Sequence, residues 1–190
     1  MSKKIIALAC LFLFGNWGFF PHRMINRLAV FTLPAELASF YKRHIDNFEE
    51  MAVNPDRRRN AIKGEAERHF IDLDHYDLHR GDSVVLNINW EEAVETFGED
   101  SLRRHGIVHW NILQSFYRLR NAFQVGDPEY ILSASADLGH YVADANVPLH
   151  TTSNYDGQKS GQLGIHSFWE TRLPELFFNR YNFLVGRATH

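Results

Sequence analysis

Two pairs of side chains in this sequence each place a histidine four residues before a carboxylate. The pairs are His140 with Asp144 and His166 with Glu170. On an α-helix, residues four apart have their side chains on one face, one turn from each other. Pro148 ends the helix that carries the first pair, so His150 can turn back beside the same face. Two such pairs on neighbouring helices would surround a pocket with imidazole and carboxylate groups.

Helical periodicity also dominates the rest of the chain, and no stretch shows the alternation of a strand. The apolar spacing predicts helices over 24–29, 37–48, 90–97, 107–123 and 128 to about 147, with a last one beginning near residue 166. Asp127, Pro128 and Glu129 are typical of a cap, a first-turn proline and an acid that suits the helix dipole. Residues 54–89 are polar and irregular. We therefore predict an all-α fold, in which Asn26 helps to pack the first helix.

Size and charge set further limits on what the chain can do. Its 190 residues, 45% hydrophobic and 23% charged, suit one globular domain with one core. The net charge of −3 argues against a basic surface for duplex DNA, although it leaves room for a local basic groove. Eleven histidines stand against one cysteine. Because histidine is the commonest metal ligand and acid–base group, this excess points to a site.

The N-terminus is typical of a secretory signal. Lys3 and Lys4 precede an apolar run over Ile5–Phe14 that is too short to span a bilayer as a helix. The alternative is a buried first helix, but nothing polar interrupts the run. We expect a signal peptide over 1–16, an exported protein (secreted or periplasmic), and a domain over 17–190. Cys10 lies inside the signal, so the mature chain would carry no disulfide.

The histidine and carboxylate groups favour a metal site. A single His-x-x-x-Asp pair on a helix is more often a surface ion pair, whereas two pairs with His150 close by, all among apolar neighbours, favour metal binding. Nitrogen and oxygen ligands suit zinc, and coordination positions left open to water make a zinc site catalytic.

These residues resemble a known family. His140, Asp144, Pro148 and His150, followed by His166 and Glu170, resemble the zinc-dependent phospholipase C family, which shares a superfamily with the fungal and plant single-strand nucleases. The resemblance extends from the segment Trp17–His22, which is similar to the family's mature N-terminus, through Asp56 and His69. Pro21 and Ala143 stand where relatives carry glycine. The chain ends soon after Glu170, which we interpret as a fragment or a minimal form with a short C-terminus.

The resemblance implies a multi-helix bundle with a trinuclear zinc cleft. It assigns Asp56, His69, His140 and Asp144 to one zinc, His150, His166 and Glu170 to a second, and Trp17 (amine and carbonyl oxygen) and His22 to a third, with Asp144 shared between the first and the third. Only two zinc ions are expected if Trp17 is not the mature N-terminus. A zinc-bound hydroxide would attack phosphorus, and Asp56 would orient or deprotonate that water or serve only as a ligand.

Three further residues are candidates for substrate binding. Arg59 belongs to the run Arg57–Arg59, which forms either a solvated face or a contact with a substrate phosphate. Phe70 is either a core aromatic or a platform for a base. Asp72 either binds substrate or is simply solvated. We assign no role to the remaining histidines of the central region, namely His75, His79, His105 and His109.

The expected substrate is a phosphodiester: we predict a phospholipid headgroup, in the phospholipase C-like branch, with single-stranded nucleic acid as the alternative. The short loop between His150 and His166, Glu170 and Asn146 favour the phospholipase C-like branch, with transient contact with a membrane surface. Arg59 and the segment His69–Asp72 favour the nuclease branch. Neither branch implies duplex DNA or an obligate protein partner.

The alternative from another class of function is a non-catalytic, zinc-stabilised binding module. The full ligand set argues against it, because a binding module does not need open metal positions. A di-iron bundle would use Glu-x-x-His pairs and more carboxylates.

Overall fold

The computed structural model describes residues 18–76, 89–183 and 186, and over these ranges the fold is all-α without a strand, as predicted. The helices are α1 Phe19–Ala29, α2 Ala35–Arg43, α3 Ile45–Met51, α4 Asn54–Arg58, α5 Trp90–Phe97, α6 Glu99–Arg104, α7 Val108–Val125, α8 Pro128–Ala145, α9 Ile165–Ser167 and α10 Leu173–Phe177. A π-helical turn over Phe168–Arg172 joins α9 to α10. Within the described ranges, none of these helices has the length and apolar character needed to cross a bilayer.

Helix α8 is the central element of the fold. Its start is confirmed as predicted, because the Asp127 Oδ1 accepts from the backbone N–H of Glu129 (3.0 Å) and Tyr130 (3.4 Å), and Pro128 occupies the first turn. Helix α7 packs along it, and α1 and α3 also pack against it. Both His140 and Asp144 are at most 1% exposed. The central helix thus carries the first histidine–carboxylate pair into the interior.

Two apolar clusters flank α8 and enclose its polar side chains. The first contains Ile71, Tyr76, Ala93, Leu102, Ile107, Val108, Trp110 and Tyr141. The second contains Val30, Tyr41, Phe48, Ala122, Ile131, Leu132, Ala134 and Ala136. Because α8 contributes to both clusters, its position is fixed from two sides by apolar burial.

The predicted helix over 37–48 is wrong in one respect, since the chain forms two helices there. Helices α2 and α3 meet at His44, whose backbone leaves the helical region at φ −116° and ψ 17°. Both helices still turn their apolar sides to the same cluster, so periodicity alone could not detect the break. Pro34 lies just before α2, although the sequence would allow it as the first-turn proline of the predicted helix. Pro55 lies near the start of the short helix α4, as prolines can, within residues that the sequence predicted to be irregular.

Helices α1 and α8 come unusually close at Gly139. A Cβ atom added to Gly139 would lie 2.2 Å from the side-chain oxygen of Asn26. Asn26 is 1% exposed, and its amide nitrogen donates to the carbonyl oxygen of His22 at 3.1 Å. The contact therefore agrees with the expectation that Asn26 packs the first helix. Asn26 lies one helical turn after His22, and Gly139 directly precedes His140, so this contact lies beside two of the predicted ligands.

Replacing Gly139 with alanine tests this contact. A glycine-to-alanine change inside a helix normally stabilises a protein by about 0.5–1 kcal/mol. Here we expect the opposite sign, a loss of about 1–3 kcal/mol, because the methyl group overlaps Asn26. Urea unfolding followed by circular dichroism measures the change. A variant as stable as the wild type, or more so, would show that α1 moves aside freely.

Candidate metal centre

The first group of possible metal ligands lies where α8 passes the end of α4 and the segment before residue 70. The His140 Nε2 lies 3.1 Å from the His69 Nδ1, and the Asp144 Oδ2 lies 2.9 Å from the His69 Nδ1 and 3.2 Å from the His140 Nε2. The Asp56 Oδ1 is 3.8 Å from His69 and 3.7 Å from His140. The structure therefore brings four of the predicted residues together around one point.

Asp144 faces two groups at once. While its Oδ2 atom belongs to the group just described, its Oδ1 atom lies 3.3 Å from the His22 Nε2 and 3.6 Å from the His150 Nδ1. The His22 ring stacks on His140 with ring centres 3.9 Å apart. His22, His140 and Asp144 thus form a further group that could hold a cation. The carboxylate has the placement that a shared ligand needs.

The remaining group combines a 3-10 turn after α8 (Pro148–Thr151) with α9 and the π-helical turn. His150 and His166 approach through their Nε2 atoms at 3.2 Å. The Glu170 carboxylate closes the group, with Oε1 2.8 Å from the His150 Nε2 and Oε2 3.0 Å from the His166 Nε2. The start of α1 is tied to this turn, because the Gly18 N–H donates to the Thr171 Oγ1 at 3.0 Å.

Backbone carbonyls fix which nitrogen of each ring is free to bind a cation. The Nδ1 atoms of three histidines lie within hydrogen-bond distance of a carbonyl oxygen: His140 at Ala52 (2.9 Å), His150 at His69 (2.7 Å) and His166 at Tyr155 (3.2 Å). Because a carbonyl only accepts, each Nδ1 must carry the proton. The Nε2 lone pairs then point into the groups, as in most protein metal sites.

The distances and the chemistry of these groups fit zinc. A tetrahedral ion with bonds of 2.0–2.1 Å separates its ligand atoms by about 3.3 Å, and the contacts above lie on either side of that value. The donors are nitrogen and oxygen, which suits zinc. The Asp56 Oδ2 is buried without a hydrogen-bond partner among the described residues, an arrangement that a cation would relieve.

The charges of the groups are strongly coupled. Burial by itself raises the pKa of Asp144, but His140, His22 and His69 outweigh it and hold that pKa well below its ordinary value. Burial lowers the pKa of His69. Burial also acts to lower the pKa of His150, but Glu170 and Asp144 together raise it to about 9. Burial acts to raise the pKa of Glu170, but His150 and His166 together lower it to about 2.

A buried carboxylate behind His69 extends the site. Glu65 is 1% exposed, and its Oε1 lies 3.9 Å from the His69 Nε2, the nitrogen that faces away from the other ligands. The same oxygen accepts from the Tyr141 hydroxyl and from the Arg58 Nε at 3.0 Å. Arg58 also donates to both oxygens of Asp137, at 3.1 and 3.0 Å. Glu65 is therefore held in place, and it acts on the His69 ring through its negative charge, because the His69 Nε2 has no hydrogen-bond partner among the described residues.

Replacing Glu65 with glutamine should weaken metal retention. Hydrogen-bonded partners of metal-binding histidines typically contribute 10- to 100-fold to affinity. Glu65 acts on His69 through its charge alone, so we expect a loss of about tenfold, the lower end of that range, with little change in side-chain size. Competition with a chromophoric chelator measures the zinc affinity. Glu67→Gln is the matched control, because Glu67 pairs with Arg103 instead of the site. Equal zinc affinity in both variants would contradict the role of Glu65.

A pocket of about 310 Å³ opens beside the metal groups. Its lining includes the three predicted substrate-binding residues, Arg59, Phe70 and Asp72, together with His69, Arg104, Leu149, His150, Thr152, Ser153, Tyr155 and His166. The predicted residues thus meet the metal groups in one cavity.

The run Arg57–Arg59 divides into three different environments. Arg57 pairs with Glu50, and Arg58 pairs with Asp137 and Glu65. Arg59 forms no ion pair with any other residue in the described ranges, and it lines the pocket. Of the two interpretations of the run, the structure places only Arg59 where a substrate contact is possible.

Two of the histidines that received no role from the sequence, His75 and His105, contact each other. His75 stacks on His105 with ring centres 3.4 Å apart, and the His105 Nδ1 lies 3.2 Å from the Asp72 Oδ2. Asp72 is therefore partnered and not simply solvated. His109 lines a separate apolar groove on α7. Trp17, His79 and the predicted signal over 1–16 lie outside the described residues.

Sequence reasoning missed Glu65 and Arg104. Glu65 precedes His69 by four residues, the same spacing, with the order reversed, as the pairs that revealed the site, so the signal was present. Arg104 gave no signal, because its place depends on the turn between α6 and α7. Comparison of the chain with protein-family models, with curated proteins and with solved structures finds no match.

Proposed function

We propose that this protein is a zinc-dependent hydrolase of phosphodiester bonds, with the trinuclear cleft of the phospholipase C and single-strand nuclease superfamily. The observation that carries the proposal is the convergence of imidazole Nε2 atoms and carboxylates at 2.8–3.3 Å, with the Nδ1 atoms of His140, His150 and His166 bound to backbone carbonyls. A structural zinc site would be closed, whereas these groups border an open pocket.

Each group has a candidate ion. Asp56, His69, His140 and Asp144 would hold the first, His150, His166 and Glu170 the second, and His22 with Trp17 and the shared Asp144 the third. When bound, zinc lowers the pKa of water and supplies positive charge for a phosphoryl transition state. The Asp56 carboxylate, with Oδ2 unpartnered among the described residues, is the candidate to orient a water or take its proton.

The pocket wall bears on the choice of substrate. Arg59 supplies a guanidinium for a phosphate, and Phe70 and Tyr155 supply aromatic surface. Asn146, which favours the phospholipase branch by sequence, donates to the Val142 carbonyl of its own helix and is absent from the lining of this pocket. The lining therefore supports single-stranded nucleic acid ahead of a choline-type headgroup.

The decisive experiment measures zinc and hydrolysis on one purified sample. Elemental analysis gives the zinc content, and bis(p-nitrophenyl) phosphate, phosphatidylcholine, single-stranded DNA and RNA are the substrates, each with and without chelator. We expect two or three zinc ions per chain and chelator-sensitive hydrolysis. His150→Ala should lose zinc and activity, whereas His109→Ala should retain both. Less than one zinc with no hydrolysis would overturn the proposal, and zinc without hydrolysis would favour the binding module.

Export is part of the same proposal. If the signal over 1–16 is removed, the amine of Trp17 becomes free to complete the third zinc site with His22. N-terminal sequencing of the exported protein tests this point. A chain that begins at Trp17 should bind one zinc more than a chain that begins at Met1.

A further inference from the structure

Two arginines line the pocket, and neither forms an ion pair with another described residue; the Asp72 carboxylate in the same lining pairs with His105. Arg59 at the end of α4 and Arg104 at the end of α6 both border the cavity. Neighbouring arginines are paired, Arg57 with Glu50 and Arg103 with Glu99. Throughout the part of the chain that the structure describes, Arg59 and Arg104 form no such pair. On a chain of net charge −3, two unpaired guanidinium groups at one cavity form a local anion-binding wall.

The backbone next to Arg104 is held against the segment that carries His69. The Asp72 N–H donates to the His105 carbonyl at 2.7 Å, the Ile107 N–H to the Glu67 carbonyl at 2.7 Å, and the Val108 N–H to the Phe70 carbonyl at 3.1 Å. Gly106 makes this approach possible. Its φ is +84°, and a Cβ atom there would lie 2.1 Å from the Phe70 oxygen.

These hydrogen bonds fix the backbone next to Arg104 relative to the metal groups. The segment that ends in Arg104 cannot move away from the His69 segment without breaking three backbone hydrogen bonds. Arg59, by contrast, reaches the pocket from α4, three residues after Asp56. The two guanidinium groups therefore come from separate elements, each anchored to a different part of the first metal group.

We propose that Arg104 binds a second phosphate of the substrate, next to the phosphodiester that Arg59 and the metal groups engage. This proposal rests on the proposed function. The ligand class is a short single-stranded nucleic acid that carries a phosphate adjacent to the scissile bond. Phe70 and Tyr155 line the same pocket, and a cationic groove with aromatic side chains suits single strands. A choline headgroup would bring a positive charge towards two unpaired arginines.

The test compares dithymidylate without a terminal phosphate with its 5′- and 3′-phosphorylated forms. We expect the wild-type enzyme to hydrolyse one phosphorylated form with a kcat/KM about tenfold to hundredfold higher, the range of a charge-assisted hydrogen bond. Arg104→Ala should remove this preference, so that the phosphorylated and unphosphorylated forms of dithymidylate are hydrolysed with equal kcat/KM. Arg103→Ala is the matched control, since Arg103 is held by Glu99 and Glu67.

Three outcomes would overturn the proposal: no preference in the wild type, a preference that survives Arg104→Ala, or an equal loss in Arg103→Ala. Faster, Arg104-dependent hydrolysis of an anionic phospholipid in vesicles would assign the residue to a lipid instead. If bis(p-nitrophenyl) phosphate is not hydrolysed, the proposed function fails separately. Calorimetric binding of phosphorothioate-linked dithymidylates, with and without a terminal phosphate, then decides the second-phosphate subsite without turnover.

Discussion

Asparagine in place of Asp144 is expected to remove metal and activity together. The Asp144 carboxylate, 1% exposed, faces His69 and His140 through one oxygen and His22 through the other. The change preserves size but leaves these rings without their shared negative charge. We expect the loss of at least one zinc per chain and a fall in kcat/KM of about 10³-fold or more, since several kcal/mol of transition-state stabilisation depend on the metal.

The variant should also be less stable, by about 3–5 kcal/mol, because one partner of a buried charged group is removed. Asp137→Asn is the matched control. Asp137 lies on the same helix, is 2% exposed and accepts from Arg58 and Arg118. It should lose stability but keep its zinc. Full zinc content and activity in Asp144→Asn would refute the shared-ligand role.

Chelation is expected to introduce a pH dependence of stability that the zinc-loaded protein lacks. In the metal-free protein, the raised pKa of His150, about 9 against an ordinary 6.5, means that its charged form is stabilised by folding. This contribution is complete below pH 6.5 and is lost as the pH rises through 9. The raised pKa of His140 acts with the same sign. The lowered pKa of Glu170, about 2, adds stability that is lost only as the pH falls below 4.5 towards 2.

Zinc removes this dependence because it binds the neutral imidazole. The Nε2 proton of His150 must leave before the metal binds, so the affinity of this group should rise about tenfold per pH unit up to pH 9. This gain offsets the stability that the metal-free protein loses over the same range. Denaturant unfolding at pH 6.5, 7.5 and 8.5 measures both states. Stability should fall with pH in chelator and stay nearly constant with pH in zinc, and His150→Gln should reduce the slope of the chelator series. Parallel slopes in both solutions would contradict the assignment.

The sequence predicted the all-α class, the capped start of α8 and the residues that meet around Asp144. Four-residue spacing on a helix is a local property, so His140, Asp144, His166 and Glu170 could be identified without knowing how the helices pack. The break at His44 and the placement of Arg104 could not, because both depend on contacts between distant segments. The division of the arginine run was also hidden, since Asp137 lies 79 residues after Arg58, and Glu50 lies on a different helix from Arg57.

The hydrogen bond between the His150 Nδ1 and the His69 carbonyl oxygen, 2.7 Å long, has a consequence for the order of metal loading. The His69 side chain belongs to the first metal group, and its backbone carbonyl oxygen accepts a hydrogen bond from His150, a member of the second group. An ion that fixes His69 also fixes the acceptor that orients His150, and so lowers the entropy that the second ion must overcome. We therefore expect cooperative loading of the two groups, with a half-loaded protein less populated than independent binding would give.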